Sequence, residues 1–381
     1  MTNDLSKDDL DILLDVGRKF KKRKNKIKKV QKAILKKRSS LFDSPERVKA
    51  FLKREALKEF QKVIIDEEAE TDSEEANANQ EIVDSQKEKQ ERLMDNIDEL
   101  DLSDEIMFER LIGSTNDILS IEALEVGRKT ANAVGMLEMG ITGRGTGFLV
   151  GLDVILTNWH NIRDIERAKQ SVFVLDFEDS EFGDRSKRQE FKLDPDRFYV
   201  PDKEFDFAFV AVKKHSRTRE KTLDDYGIHF LFPEEGKIIV GQPVNIIHHP
   251  RGGRKQVTIH NSLLVELSNE ADDEQFCYYT ADTLKGSSGA PVYNVHWEVI
   301  ALHRKGVPET DMFGKVILKN GTKIDREDMI AHEADIKWIC NQGVRTSRII
   351  RRFKDLELAN PDYLKVRDEL LEFWGAEDLM A

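Results

Sequence analysis

The feature that most restricts the fold of this chain is a long series of short, β-rich segments beginning at about Ile121. β-Branched and aromatic residues fill segments such as QSVFVLDF, DFAFVAV and KIIVGQPVNIIHH, and Gly, Pro or Asp residues separate them. Short strands at this spacing are typical of antiparallel sandwiches and barrels, whereas alternating β–α units need a helix between strands. The sequence therefore predicts a mainly β domain.

Both ends of the chain show helical periodicity instead. Before the β-rich part, apolar residues recur three and four positions apart, and the residue types at 43–45, Asp-Ser-Pro, are those of a helix start. After Ile330 the segments ADIKWICNQGVRTSRIIRRF and PDYLKVRDELLEFWG also predict helices. We expect a helical N-terminal region with a basic stretch at 1–65, an acidic linker and lead-in segment at 66–120, the β domain at 121–350 and a C-terminal helical tail at 351–381.

Composition sets the class and the compartment that we expect. Hydrophobic residues make up 39% of the chain and charged residues 35%, with a net charge of -12, which indicates a soluble protein with a true core. No apolar run is long enough for a membrane-spanning helix. The N-terminus carries acids where a signal peptide needs basic and then apolar residues. Because the only cysteines are Cys277 and Cys340, no disulfide framework is expected. These features predict a cytoplasmic protein.

Three segments of the β-rich part carry residues suited to acyl transfer. His160 ends VILTNWH, Asp206 begins DFAFVAV, and Ser288 lies in the glycine turn of TADTLKGSSGAPVYN. Nucleophilic acyl transfer needs a hydroxyl, an imidazole that takes its proton and a carboxylate that orients the imidazole. It also needs backbone N–H donors for the oxyanion, and Gly286 allows the backbone to approach closely because it has no Cβ.

The segments GTGFLV…LTNWH, DFAFV and GSSGAPV resemble the trypsin-like serine peptidases, in the chain order His, Asp, Ser, and most nearly their bacterial glutamyl-endopeptidase-like branch. The resemblance covers roughly residues 121–350. It implies a chymotrypsin-like double antiparallel β-barrel closed by a C-terminal helix. It further implies that His160 is the general base and acid, Asp206 its orienting partner and Ser288 the nucleophile, with the N–H groups of Gly286 and Ser288 forming the oxyanion hole. No metal and no cofactor are implied.

The same resemblance extends to the specificity pocket. In the glutamyl-specific branch a Thr before the nucleophile and a His on the following strand line the pocket, and Thr283 and His303 match these places. A hydroxyl and an imidazole can both bind a carboxylate, which favours an acidic side chain before the scissile bond. The adjacent Arg304 strengthens that preference if it points inward. Animal members carry an Asp immediately before the nucleophile for activation by a freshly cleaved N-terminus. Ser287 stands there in this chain, so that activation mechanism is not expected.

Two further features, a pair of histidines and a basic stretch, also have simple structural explanations. Adjacent residues of a strand face opposite sides, so His248 and His249 are poorly placed to share a metal ion, and no metal site is predicted. The basic stretch GRKFKKRKNKIKKVQKAILKKR is suited either to phosphates or to a partner protein. Aromatic residues for base stacking are scarce in it, which favours a regulatory protein partner bound through residues 1–105.

The sequence as a whole predicts a cytoplasmic serine endopeptidase that cleaves a protein or peptide substrate, with a preference for acidic residues. Its activity is expected to be gated by the N-terminal region or by a partner, as in an effector of signalling or defence. The alternative is a catalytically silent, peptidase-like binding protein whose basic helix contacts nucleic acid. Neither hypothesis requires a cofactor.

Overall fold

The computed structural model describes residues 29–30, 43–69, 90–92, 94–95, 97–98, 120–179, 188–268, 273–311, 313–329 and 331–375. Most of the predicted helical region at 1–42 and most of the predicted acidic linker lie outside these residues. The predicted helix start is confirmed, since α1 (Pro45–Ala69) begins at the Pro of the Asp-Ser-Pro sequence. α1 continues four residues beyond 65, into the segment that the sequence assigns to the linker.

The first antiparallel sheet follows a short helix, α2 (Glu122–Asn132). Its strands are β1 (Val134–Met139), β2 (Gly143–Gly151), β3 (Val154–Thr157), β4 (Ser171–Leu175), β5 (Gln189–Lys192), β6 (Tyr199–Asp202) and β7 (Phe207–Ala211). They are ordered β5-β4-β1-β2-β3-β7-β6, and α3 (Ile165–Lys169) connects β3 to β4. The sequence does not predict α2, because the change to β-rich composition near Ile121 precedes it directly.

The second antiparallel sheet contains β8 (Asn245–His248), β9 (Gln256–Thr258), β10 (Leu264–Leu267), β11 (Phe276–Tyr279), β12 (Pro291–Tyr293), β13 (Val299–Pro308) and β16 (Trp338–Arg345). Their order is β10-β11-β16-β13-β12-β8-β9. A small hairpin, β14 (Val316–Ile317) and β15 (Lys323–Ile324), lies between β13 and β16 in the chain and packs on its own apolar cluster. The mainly β, antiparallel prediction for this part of the chain is confirmed.

The prediction of helix for residues 334–353 is partly wrong. Residues 338–345 form β16, which pairs with β11 on one side and β13 on the other. Helix begins only at α4 (Thr346–Asp355), and α5 (Pro361–Phe373) follows it. A short apolar run buried between two strands has no clear period, so helix and strand cannot be separated by pattern alone. The predicted domain boundary at 350 falls inside α4.

The core joins both sheets to the C-terminal helices. One apolar cluster contains side chains of both sheets together with Phe353 of α4 and Leu370 of α5. Trp374, directly after α5, is buried and donates its indole N–H to the carbonyl oxygen of Val150 at 2.8 Å. α4 and α5 thus pack into the core and hold the two sheets in one arrangement.

α1 contacts the segment that precedes β8. Val48 of α1 is buried against Ile239, and the main chain of Ala50 lies against Gly236. Val240 donates its main-chain N–H to the carboxylate of Asp43 at 2.9 Å. The N-terminal helix is therefore docked onto the domain that carries the candidate site.

Candidate active site

The structure brings His160 and Asp206 together at one end of the paired strands β3 and β7. His160 follows β3, and Asp206 precedes the fully buried strand β7, which pairs with β3. The Nδ1 atom of His160 lies 2.9 Å from Oδ2 and 3.0 Å from Oδ1 of Asp206. The main-chain N–H of His160 also donates to Asp206 Oδ1 at 3.0 Å. The carboxylate therefore sets both the position and the orientation of the imidazole.

Asp206 reaches this position through an uncommon backbone conformation. Its φ is 59°, in the left-handed region, which Asp tolerates better than most residues. Its main-chain carbonyl accepts a hydrogen bond from the Asn158 side chain at 2.9 Å, two residues before His160. This bond ties the turn before β7 to the end of β3.

Asp206 is completely buried and remains ionised. Burial acts to raise its pKa, but the neighbouring His160 and the guanidinium of Arg304 outweigh burial and lower it. Arg304 donates through Nε to Asp206 Oδ2 at 2.9 Å. Arg304 is the additional residue of a bulge in β13, since its neighbours His303 and Lys305 pair with consecutive residues of the strand Trp338–Arg345, and its guanidinium is directed to Asp206. The sequence expects Arg304 to strengthen an acidic preference only if it points inward, and its hydrogen bonds to Asp206 and Gln342 do not provide that orientation.

Ser288 lies in a tight turn before β12, between two glycines with positive φ. Gly286 has φ of +95° and Gly289 has φ of +87°, values that other residues rarely adopt. A Cβ at Gly286 would lie 2.7 Å from the main chain of both His249 and Gly252. Only glycine fits this close approach, which explains the composition of the turn.

The first sheet anchors this turn. Thr146 of β2 donates its N–H to the carbonyl of Ser288 and its hydroxyl to the carbonyl of Gly286, both at 2.8 Å. The side chain of Asn161 donates to the same Ser288 carbonyl at 3.1 Å. Among the described residues, the N–H groups of Gly286 and Ser288 donate to no acceptor. The two groups are therefore available to a bound anion or carbonyl oxygen.

The Ser288 hydroxyl does not bond to His160 in this arrangement. It donates to the main-chain carbonyl of Arg304 at 3.2 Å. Rotation about the Ser288 Cα–Cβ bond is the motion that would turn the hydroxyl away from this carbonyl. The structure thus places the three residues in one site, with the hydroxyl directed to β13.

Ser287, which stands where animal members carry Asp, has a neutral partner. Its hydroxyl lies 2.8 Å from Nδ1 of His248 and accepts from the N–H of Leu284 at 3.2 Å. Burial lowers the pKa of His248 to about 4, so this imidazole is uncharged near neutral pH. The His248–Ser287 bond fixes the turn to β8. The sequence does not predict this bond, because nothing local marks His248 as a partner of residue 287.

Thr283 and His303, the predicted specificity residues, are linked through β11 and β16. Thr283 donates to the side-chain oxygen of Asn341 at 2.7 Å, and Asn341 is paired with Tyr279 across the two strands. The Tyr279 hydroxyl lies 2.7 Å from Nδ1 of His303. Burial lowers the pKa of His303 to about 3. In the described part of the chain, His303 Nε2 makes no hydrogen bond, so it is available to a substrate group.

The paired histidines form no joint site. His248 faces Ser287, while His249 lies 2.9 Å through Nδ1 from the carbonyl of Gly253. Within the ranges that the structure describes, no group of three or more His, Cys, Asp or Glu side chains is arranged to hold a metal ion. Within the same ranges, no helix is both long and apolar enough to cross a lipid bilayer.

Residues 145–302 match the family described as the trypsin-like peptidase domain. The chain carries a trypsin-like peptidase domain. This match spans the strands that present His160, Asp206 and Ser288, and it identifies the two antiparallel sheets as the trypsin-like double β-barrel. The resemblance predicted from the sequence motifs is confirmed at this level.

The peptidase domain also has relatives among whole proteins and solved structures. The protein called "Uncharacterized protein y4fB" of Sinorhizobium fredii (strain NBRC 101917 / NGR234) is 32% identical over 272 residues, which are 68% of this chain and 41% of that protein. The chain thus matches about two fifths of that relative's length. The Rv3671c protease of M. tuberculosis H37Rv in an inactive form is 14% identical, with 61% of this chain and 93% of that chain covered and a TM-score of 0.38. Deg5 is 21% identical, with 49% and 87% covered and a TM-score of 0.36.

Proposed function

We propose that this chain is a serine endopeptidase that cleaves a protein or peptide substrate through an acyl-enzyme on Ser288. The observation that carries the proposal is the arrangement of one imidazole, one buried carboxylate and one hydroxyl around a glycine turn. His160 Nδ1 lies 2.9 Å from Asp206, and the turn holds Ser288 with two N–H groups free of protein acceptors among the described residues. Nucleophile, base, orienting carboxylate and oxyanion donors are the components of acyl transfer.

The proposed reaction begins when the Ser288 hydroxyl turns from the Arg304 carbonyl and attacks the scissile carbonyl carbon. His160 takes the hydroxyl proton through Nε2, and Asp206 stabilises the imidazolium that forms. The N–H groups of Gly286 and Ser288 bind the oxyanion of the tetrahedral intermediate. The imidazolium then gives its proton to the leaving amine. Water, activated in turn by His160, releases the acyl group as a free acid.

The proposal includes a preference for an acidic side chain before the scissile bond. Thr283 and His303 support it, because the His303 Nε2 makes no hydrogen bond in the described structure and an imidazole can bind a carboxylate. Since the pKa of His303 is lowered to about 3 by burial, a bound carboxylate must draw a proton onto the imidazole to form a full ion pair. The ratio of kcat/KM for matched Glu and Gln peptides should therefore exceed one and rise from pH 8 to pH 6. A ratio that stays at one across this range contradicts the acidic preference.

Labelling with a fluorophosphonate tests the nucleophile. We expect the wild-type chain to be labelled, the modified residue to map to Ser288, and Ser288→Ala to remain unlabelled while folding normally. Ser262→Ala is a matched control, because Ser262 is buried in the same domain and, among the described residues, its hydroxyl bonds only to the carbonyl of His260, at 3.1 Å. Labelling of Ser288→Ala equal to that of the wild type would overturn the assignment.

Regulation by the N-terminal region is a separate part of the proposal. Glu298 lies in the hairpin between β12, which follows the turn of Ser288, and β13, which contains His303. Arg54 and Lys58 of α1 pair with its carboxylate at 2.8 Å and 2.9 Å. Burial acts to raise the pKa of Glu298, but these two partners outweigh burial and lower it to about 2. α1 is therefore bound to the tip of the hairpin that follows Ser288 and leads to the predicted pocket residue His303. We propose that α1 restrains activity through this contact.

Glu298→Gln tests this restraint in the full-length chain. Loss of the carboxylate should increase hydrogen exchange at residues 45–58 and raise the rate of fluorophosphonate labelling. Lys365→Gln is a suitable control, since within the described ranges Lys365 of α5 forms a single, exposed ion pair, with Glu369 at 3.8 Å. Faster exchange of α1 with an unchanged labelling rate would contradict the restraint. A protein partner that binds residues 1–105 is proposed as the agent that releases α1.

We also place the reaction in the cytoplasm. Cys277 and Cys340 are both buried free thiols, as is usual for proteins of a reducing compartment. Cell fractionation that recovers the chain with periplasmic or extracellular markers would contradict this location.

A further inference from the structure

A buried arginine and His160 both contact the carboxylate of the candidate triad. The Arg304 guanidinium is only 3% exposed, and its Nε donates to Asp206 Oδ2 at 2.9 Å. The same Oδ2 lies 2.9 Å from Nδ1 of His160. One carboxylate oxygen is therefore shared between an imidazole and a permanent cation.

The second barrel holds the guanidinium firmly in place. Arg304 donates through one terminal nitrogen to the side-chain oxygen of Gln342 on β16 at 2.9 Å. Gln342 in turn donates to the Tyr278 hydroxyl of β11 at 3.0 Å. The face of the guanidinium lies over the Phe276 ring, 5.0 Å from its centroid. Three strands of the second barrel thus orient a charge toward a carboxylate of the first.

The charge on Arg304 competes with the imidazolium for Asp206. A triad carboxylate helps the imidazole to accept a proton because its negative charge stabilises the cation that forms. A guanidinium on the same oxygen offsets part of that negative charge, and it also repels a proton on the imidazole. Among the described residues, other charged or titratable side chains near this pair include Lys305 and His303 on β13, and Lys203 and Arg163 against the ring of Trp159.

We infer that Arg304 is a positioning residue for the proposed reaction, which holds Asp206 against His160 across the two barrels and sets the pH at which His160 becomes available as a base. The inference deepens the peptidase function proposed above and rests on it. With Arg304 present, the acid limb of the pH–activity profile should lie at a lower pH than it would without the arginine. A residue that merely packed at this position would support stability without moving the pH profile.

The test is an NMR titration of the His160 imidazole in the full-length protein, which does not require turnover. The His160 signal is assigned by its loss in His160→Gln. In Arg304→Gln the midpoint of this titration should rise by about one pH unit relative to wild type. Arg304→Lys retains the charge and should stay within a few tenths of the wild-type midpoint. The acid limb of kcat/KM, or of fluorophosphonate labelling, should move by the same amount.

Two further variants keep the inference falsifiable if Arg304→Gln does not fold. Arg304→Met keeps the aliphatic stem against Phe276 and removes the charge, so it should show the same rise. Gln342→Leu removes a partner of the guanidinium but leaves the charge, so its midpoint should remain near that of wild type. A midpoint that is equal in Arg304→Met and Gln342→Leu, or that falls in Arg304→Gln, would overturn the role of Arg304.

The outcomes separate this inference from the proposed function. Absence of labelling and hydrolysis at every pH, together with a raised midpoint in Arg304→Gln, would remove the peptidase function and leave the electrostatic role of Arg304 standing. Normal hydrolysis with an unmoved midpoint and an unmoved acid limb would retain the peptidase and reject the inference.

Discussion

The two barrels hold their parts of the candidate site by different means. In the first barrel, the carboxylate of Asp206 is the centre of the arrangement, and its partners are His160 and the guanidinium of Arg304. In the second barrel, the turn around Ser288 is held by glycine geometry and by uncharged hydrogen bonds from Thr146. The first part should therefore respond to changes of charge, and the turn should respond to changes of size.

Asp206→Asn is expected to have the largest effect, because it removes the charge on which the first part depends. The wrong imidazole tautomer and the lost stabilisation of the imidazolium should lower kcat/KM by about 10⁴-fold. Arg304 would be left buried without its carboxylate, which should lower the free energy of unfolding by about 3–5 kcal/mol. Peptide hydrolysis and denaturant unfolding measure the two effects.

Asp202→Asn is the matched control for that change. Asp202 is buried in the same region, but its partner Arg352 is 39% exposed on the side-chain surface. Loss of the Asp202 charge should lower the free energy of unfolding by about 1 kcal/mol and leave kcat/KM near the wild-type value. Equal losses of activity in the two variants would show that the charge at Asp206 has no special part in the site.

Gly289→Ala tests how closely the turn packs. A Cβ at this position would collide with the carbonyl of Thr146 and the hydroxyl of Thr157, and the residue has φ of +87°. We expect a loss of about 3 kcal/mol in the free energy of unfolding and loss of fluorophosphonate labelling. Gly140→Ala provides the control, since Gly140 has φ of +67° with no atom within 4 Å of its Cβ position. Gly140→Ala should lower the free energy of unfolding by about 1 kcal/mol and should still be labelled by the fluorophosphonate.

Acid should weaken the second barrel through its buried histidines. Burial lowers the pKa to about 4 for His229 and His248 and to about 3 for His249 and His303, against an ordinary value of 6.5. Below about pH 6.5 these histidines bind protons in the unfolded chain but remain neutral in the folded chain. The free energy of unfolding therefore decreases as the pH falls below that value. Each histidine should contribute about 1.4 kcal/mol per pH unit inside this window.

Thermal unfolding between pH 7.5 and pH 5 measures this loss. His229→Gln should reduce the slope of stability against pH by about one proton, whereas His332→Gln, at an exposed position, should leave it unchanged. A slope that is the same in both variants and in wild type would contradict the neutral, buried state of His229.

Ser287→Ala is expected to have the smallest effect. It removes the uncharged bond to His248, which is worth about 1 kcal/mol of unfolding free energy, and it should slow labelling only severalfold. A loss as large as that of Asp206→Asn would mean that the turn depends on this pair as strongly as the first barrel depends on its charge.

Much of the candidate site could be predicted because its signals are local. The His, Asp and Ser segments each lie at a strand end within a short, recognisable stretch, and the glycines of GSSG report a backbone that needs positive φ. The mainly β architecture followed from the composition of single strands. By contrast, the sequence of β16 predicts helix, because its apolar pattern fits either structure and only its pairing with β11 and β13 decides between them.

Local sequence was enough to predict most of the short strands, the residue types at the site and the need for glycine in the turn, since these depend on neighbouring residues. The tertiary structure decided which polar groups meet. Arg304 and Asp206 are 98 positions apart, and His248 and Ser287 are 39 apart. Such contacts depend on how the two barrels pack and on strand register, which no local pattern encodes. That is why Arg304 contacts Asp206, whereas His303, adjacent to it in sequence, contacts Tyr279.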